Sequence, residues 1–322
     1  MKAVRVNKHG GSEVLSVEEM PVPEPKAGQL LIRMEAIGIN FLDTYQRSGL
    51  YPIPTPFTPG NEGAGVVEKV GEGVSGFAEG DRIAYTSILG SYSEYTVIPA
   101  NRAVKMPAGL DSQMGAAIML QGITAQYLST DTYPLKAGDW CLIHAGAGGV
   151  GLLLIQMAKM KGANVITTVS TDEKEALAKG AGADHVIQYT KADFEEECTR
   201  ILSGKKLDVV YDSVASTTFE KGLNLLRLRG LMVLYGQSSG PVPPFELGKL
   251  SAKGSLYVTR PTLASYIATD EELHSRAGEV LGLVSSGKLD VRIGATFPLV
   301  EAKAAHDALE GRQTTGKVLL IP

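Results

Sequence analysis

Short apolar or alternating runs fill the first third of the chain. KAVRV, QLLIRMEAIGI, GAGVVEKV, DRIAYT and SEYTVI have the length and period of β-strands, and clusters such as PVPEPKAG and YPIPTPFTPG break the chain between them. Residues 1 to about 120 therefore read as a small β-rich barrel or sandwich. Near Thr124 the period changes. WCLIHA, GVGLLLIQMAKMKG, ANVITTV, TDEKEALAKG, DHVIQY, ADFEEECTRILSG, LDVVYDSV, STTFEKGLNLLRLRG and LMVLYG alternate as strand and helix, the pattern of a doubly wound parallel sheet. After GSLYVTRP the chain turns helical over TDEELHSRAGEVLGLVSSG and ends in two strand-like pieces, ATFPLV and GKVLLIP, flanking EAKAAHDALEG. The parallel-sheet unit thus reads as an insertion between two halves of the first domain.

A length of 322 residues with 44% apolar side chains supports two domains with substantial cores. The net charge is −4 and the basic residues are scattered, which argues against an electrostatic nucleic-acid binder. Cys141 and Cys198 cannot make a disulfide framework, and the five histidines (His9, His144, His185, His274, His306) show no ligand spacing. MKAVRVNKHGG lacks the apolar core of a signal peptide, and GVGLLLIQMA is too short to span a bilayer. The expectation is a soluble, cytoplasmic protein of a reducing compartment, with no membrane partner.

The sharpest local signal is HAGAGGVG, which places Gly146-x-Gly148-x-x-Gly151 after a strand and at the opening of a helix. Gly146 is expected to allow the tight turn, Gly148 the approach of a pyrophosphate, and Gly151 close helix–sheet packing. Gly149 and Val150 complete the helix N-terminus, whose free N–H groups and partial positive charge suit phosphate. The next strand ends in Ser170 and Thr171, where an NAD-selective protein usually carries a carboxylate. Lys174 and Tyr189 could hold a 2′-phosphate by charge and hydrogen bond, so NADPH is favoured over NADH. Asp172 and Glu173 are the counter-signal, and Ser170-x-x-Glu173 reads as a capping box that would explain them.

GNEGAGVVEKVGEGVSGFAEGD (Gly60 to Asp81) carries the glycine and acid spacing of the medium-chain dehydrogenase/reductases. GDWCLIHAGAGGVGLLLIQMAK, YDSVASTTFEKGL and KGSLYVTRPTL resemble the zinc-free quinone oxidoreductase (zeta-crystallin-like) branch over essentially the whole chain. The resemblance implies an α/β chain in which a Rossmann domain, residues 124–262, is inserted in a β-rich chaperonin-10-like catalytic domain, residues 1–123 and 263–322. It also implies a homo-oligomer, commonly a homodimer built through the cofactor domains.

Zinc-dependent relatives carry a cysteine and a histidine where this chain has Asn40 and Asn61, and their four-cysteine lobe is missing, so no metal is expected. An electrophilic quinone needs little help to take a hydride from NADPH, and the protein need only position it and donate hydrogen bonds to oxygen. The segment GINFLDTYQRSGLYPIPTPFTPG reads as a Pro- and Gly-rich loop whose Asn40, Tyr45 and Tyr51 would do this as amide and phenol donors. By family analogy Thr124 lies beside the nicotinamide and Arg312 contacts the cofactor. YGQSSG supplies Tyr235, Gly236, Gln237 and Ser238 at the carboxyl end of a parallel strand. Asp43 reads as an internal hydrogen-bond partner, while His144, Cys141 and Trp140 read as packing residues. A zinc-free enone or enoyl reductase is the alternative enzyme. An NADPH-responsive RNA-binding or sensor protein is the third reading, with no RNA-recognition motif to carry it.

Overall fold

Each apolar run of the N-terminal third pairs as a strand in the computed structural model, which describes residues 1–322. The ribbon β1 (Lys2–Val6) and β2 (Leu15–Glu19) precedes β3 (Gln29–Ile39), α1 (Phe41–Ser48) and β4 (Glu62–Val70). β5 (Arg82–Thr86), β6 (Tyr95–Pro99) and β7 (Val104–Lys105) follow, then α2 (Ser112–Tyr127). Strand and helix then alternate: β8 (Trp140–Ile143), α3 (Gly149–Met160), β9 (Asn164–Val169), α4 (Asp172–Gly180), β10 (His185–Gln188) and α5 (Phe194–Leu202). β11 (Leu207–Asp212), α6 (Phe219–Leu225), β12 (Leu226–Leu234), α7 (Gly248–Ala252), β13 (Tyr257–Thr259) and α8 (Leu263–Tyr266) complete that alternation. The chain closes with α9 (Asp270–Ser285), β14 (Ile293–Pro298), α10 (Ala302–Glu310) and β15 (Lys317–Ile321).

Two units result, Met1–Ile123 with Ile267–Pro322, and Thr124–Tyr266. In the first, a seven-stranded sheet runs β14-β15-β3-β4-β5-β7, with β6 also paired to β3. Only β14 and β15 are parallel, so this is largely an antiparallel sheet closed by both chain ends. Its core gathers Leu30, Ile32, Ile37, Ile83, Ile98 and Leu320, all fully buried. β3 is buried on nearly every residue because three strands and their side chains surround it.

In the second unit all six strands are parallel, in the order β10-β9-β8-β11-β12-β13. The chain moves outward from β8 to β10 and then returns to the other side of β8. That reversal, between β8 and β11, is the topological switch point at which open parallel sheets bind ligands beyond their carboxyl ends.

Three local readings are corrected. Phe41–Ser48 is a helix rather than loop, started by Asn40 and ended by Gly49 in the left-handed region at φ 84°. Ser112–Tyr127 is a 16-residue helix within what reads as β-rich sequence. LRLRG, which reads as the end of a helix, instead opens β12, whose residues Leu226 and Leu231 pair with Leu207 and Val209 of β11 across a bulge.

Candidate active site

The glycine-rich turn after β8 is shaped by close backbone approaches. A Cβ on Gly146 would stand 2.0 Å from Thr167 Oγ1 of β9, and one on Gly151 would stand 2.3 Å from Ala145 O and 2.9 Å from Gly146 Cα. Gly151 thus lets α3 pack against the turn. The left-handed position falls on Ala145, at φ 57°, and not on Gly146, whose glycine is required by β9 instead. Gly148 is the N-cap of α3 in extended conformation, and Leu152 N donates to Gly148 O at 3.0 Å. The amides of Gly149, Val150 and Gly151 therefore have no intrahelical acceptor, which is the arrangement that receives a pyrophosphate.

His144 is buried beside this turn. Its Nδ1 lies 2.9 Å from Thr168 Oγ1 and its ring meets Phe194 edge-on at 4.9 Å, so it ties β8 to β9 and α5. Burial pushes the Cys141 thiol well above its ordinary value, and this thiol is a packing group.

Ser170, Lys174 and Tyr189 lie at and just beyond the ends of β9 and β10. The cap of α4 differs from the expected one: Thr171 Oγ1 accepts from Lys174 N at 3.3 Å, leaving Ser170 outside the helix. Asp172 is engaged elsewhere, its Oδ1 accepting from Lys191 Nζ at 2.7 Å and Gln188 Nε2 at 2.6 Å. Those hydrogen bonds, Lys191 first, hold its carboxyl below the usual range. At the end of β12, Gln237 Oε1 accepts from Arg260 Nη2 at 3.0 Å, and Gly236 packs where a Cβ would meet Ser213 O at 2.8 Å. Tyr235 and Ser238 flank them, half-buried. Thr124 is buried in α2, and Arg312 is exposed in the turn after α10 at φ 57°.

In the first unit Asn40, Glu62 and Lys317 form a closed buried triangle. Lys317 Nζ pairs with the Glu62 carboxylate and donates to Asn40 Oδ1 at 2.9 Å, while Asn40 Nδ2 donates to Glu62 Oε2 at 2.9 Å. Both ionised side chains are sealed, at 1% and 0% exposure. Gly38 of β3 makes room for them, since a Cβ there would stand 2.8 Å from Lys317 Cε.

A second buried network meets the first at Asn40. Asp43 accepts from Asn40 N at 2.8 Å, Asn61 Nδ2 at 2.8 Å and Tyr92 Oη at 3.1 Å. Desolvation raises its carboxyl to about 6, against the lowering effect of these donors. Beyond Tyr92 lie His306 Nε2 at 3.0 Å, then Arg47 Nη1 3.0 Å from His306 Nδ1. Arg47 in turn forks onto Glu310 with two bonds of 2.9 Å. Tyr45 and Tyr51 meet edge-on at 5.4 Å, and Tyr51 is exposed.

The model for an alcohol dehydrogenase GroES-like domain matches residues 26–108, and that for a zinc-binding dehydrogenase matches residues 149–273. Quinone oxidoreductase of Pseudomonas aeruginosa is 46% identical over 100% of this chain and 99% of its own. Quinone oxidoreductase 1 of Escherichia coli is 47% identical over 99% of both. The chain belongs to the quinone oxidoreductase family. The crystal structure of the Escherichia coli quinone oxidoreductase complexed with NADPH superimposes with a TM-score of 0.98 at 46% identity, covering 100% of both chains. A 2-haloacrylate reductase from a Burkholderia species is 42% identical over 99% of this chain and 98% of its own.

A zinc ion does not fit this family member's donor set, although one matching model is named for zinc. Asn40 turns its oxygen to the Lys317 ammonium, Asn61 turns its nitrogen to Asp43, and neither is a thiolate or imidazole. A dication placed there would also face the buried ammonium.

Sequence reading singled out Asn40, Tyr45 and Tyr51 on this side, and the structure sets all three on or beside α1. It missed Gln46, Arg47, Glu62, Tyr92, His306 and Lys317. Glu62 and Lys317 left a trace as charged residues opening the apolar runs EGAGVV and KVLLI, whereas nothing local marks His306.

Proposed function

We propose that the protein is an NADPH-dependent oxidoreductase that reduces quinones by direct hydride transfer. The observation that carries the reading is the acceptor-side donor set, the Asn40 amide locked to the buried Lys317–Glu62 pair together with the paired phenols of Tyr45 and Tyr51, in a chain of this family. Such donors can orient and polarise an already electrophilic carbonyl but offer little to activate an alcohol. The amides of Gly149, Val150 and Gly151 take the pyrophosphate, and Lys174, Ser170 and Tyr189 take the 2′-phosphate. NADPH, once bound, supplies the hydride. Tyr45 and Tyr51 offer flat faces and hydroxyls to a planar acceptor.

NADPH oxidation should proceed with small 1,4-quinones and survive EDTA. No turnover with any quinone, or complete loss on chelation, would sink the proposal. Because Asp172 is held by Lys191 and Gln188, the 2′ end is left to Lys174. Lys174→Ala is expected to raise the KM for NADPH by about tenfold or more, the worth of a charge-assisted hydrogen bond, and to change that for NADH little. Equal changes for the two cofactors would refute the assignment.

The 2-haloacrylate reductase relative supports a second reading, in which the acceptor is an activated alkene. The ratio of kcat/KM on an α,β-unsaturated acid and on a quinone separates the two. We also propose a homodimer. β13 is the open edge of the parallel sheet, and Tyr257 on it and Leu228 on the adjoining β12 are 61% and 70% exposed, as expected of a surface covered by a second copy. A single-chain mass in sedimentation at micromolar concentration would remove it.

A further inference from the structure

We infer that Gln46 is a specificity residue that donates a side-chain hydrogen bond to the carbonyl oxygen of the acceptor, its amide polarity set by Asp43 through Asn61. The inference rests on the proposed quinone reduction and deepens it.

The polarity follows from which groups can only donate and which can only accept. A guanidinium has no lone pair to offer, so the 3.0 Å contact of Arg47 Nη1 makes His306 Nδ1 an acceptor. His306 therefore carries its proton on Nε2 and donates to Tyr92 Oη, 3.0 Å away. The single Tyr92 proton is then left for Asp43 Oδ2 at 3.1 Å. An ionised carboxylate accepts only, so the Asn61 atom 2.8 Å from Asp43 Oδ1 must be its nitrogen. The second proton of that nitrogen points the Gln46 oxygen inward, since Asn61 Nδ2 lies 2.7 Å from Gln46 Oε1. The Gln46 amide cannot turn over without setting two N–H groups against each other.

Gln46 Nε2 is thereby forced to the other side of the amide. One of its hydrogens has only a 3.5 Å contact with Asn61 Oδ1, at the limit of a hydrogen bond, and the other meets no protein acceptor. Gln46 is half-buried on α1, next in sequence to Tyr45, whose ring packs on Tyr51. A half-buried, oriented donor lacking an acceptor, on the same short helix as the Tyr45 phenol, is what a carbonyl oxygen requires. An acceptor with no oxygen at that point would leave the N–H unpaired, so the residue discriminates as well as binds.

Gln46→Met keeps length and removes both donors, and Gln46→Glu keeps the inward acceptor while losing the outward donor. With 1,4-naphthoquinone both are expected to raise KM, and to raise the anaerobic Kd of the naphthohydroquinone product, by about tenfold, with the Kd for NADPH unchanged. Asp43→Asn should turn the Asn61 amide and give a similar rise. Combined with Gln46→Met it should add little, because the two changes remove one interaction. Wild-type turnover of naphthoquinone with unaltered KM and product Kd in both Gln46 variants overturns this assignment alone. An additive Asp43→Asn, Gln46→Met pair overturns the polarity chain. A wild-type enzyme inert to every quinone overturns the functional reading, and this inference with it.

Discussion

Lys317→Met is expected to destabilise the protein by about 3–5 kcal/mol, the usual cost of breaking a buried ion pair from one side. Lys317 and Glu62 are sealed from solvent, so the carboxylate left behind cannot be rehydrated without opening the sheet. Asn40 Nδ2 and the Leu120 amide still donate to it, which holds two of its lone pairs but none of its charge. Met matches the apolar stem of lysine, so the loss is electrostatic rather than a cavity. The companion change Glu62→Gln should recover most of the stability in the double variant, because the glutamine oxygen can accept from Leu120 N and its NH2 can donate to Asn40 Oδ1 once that amide, freed from the ammonium, turns over. Urea unfolding midpoints of the two singles and the double decide the matter. A single variant within about 1 kcal/mol of wild type, or a double no better than the single, would show that the pair is not held as described.

The elements that could be read from the sequence are those whose period is uninterrupted. QLLIRMEAIGI coincides with β3 residue for residue, and the helix opened by Gly148 runs Gly149–Met160 as its apolar spacing requires. α2 escaped because SQMGAAIMLQGITAQY is apolar around its whole circumference, so no 3.6-residue stripe stands out from the background. α1 escaped for the opposite reason: its eight residues are mostly polar and flanked by glycine and proline signals that point to a loop. LRLRG carries good helix formers, and only pairing with β11 makes it a strand.

The same division separates the two clusters of candidate residues, each within its own unit. The dinucleotide cradle is local, since six consecutive residues from Gly146 to Gly151 contain both the turn and the helix start. Even there, the need for glycine at 146 comes from Thr167 on another strand, which no spacing rule contains. The acceptor side is assembled from distant pieces: Arg47 meets His306 across 259 residues, and Lys317 meets Glu62 across 255. Polar residues of this kind look like ordinary surface when read singly. Their burial, which is what makes their partners obligatory, is a property of the closed sheet alone.

His306→Gln should reverse its effect on stability with pH. Glutamine can accept from Arg47 with its oxygen and donate to Tyr92 with its nitrogen, so above pH 7 the variant should stand within about 1 kcal/mol of wild type. Burial, followed by the Arg47 charge, depresses the histidine from its ordinary value to about 3 in the folded chain. Between that value and about 6.5, the unfolded chain binds a proton at this position and the folded chain does not. Wild type therefore loses about 1.4 kcal/mol for each pH unit of descent below 6.5, and the glutamine variant loses none of this. Asp43, raised to about 6, acts in the other direction by taking up its proton earlier in the folded chain. It is present in both proteins, so it largely drops out of their difference. At pH 4.5 His306→Gln should consequently be the more stable protein by about 2 kcal/mol. Urea titrations of the pair at pH 8 and pH 4.5 read this directly. Parallel profiles would mean that the imidazole reaches water or takes up its proton as readily in the folded chain as in the unfolded one, and Nδ1 could then no longer be the acceptor of the Arg47 N–H.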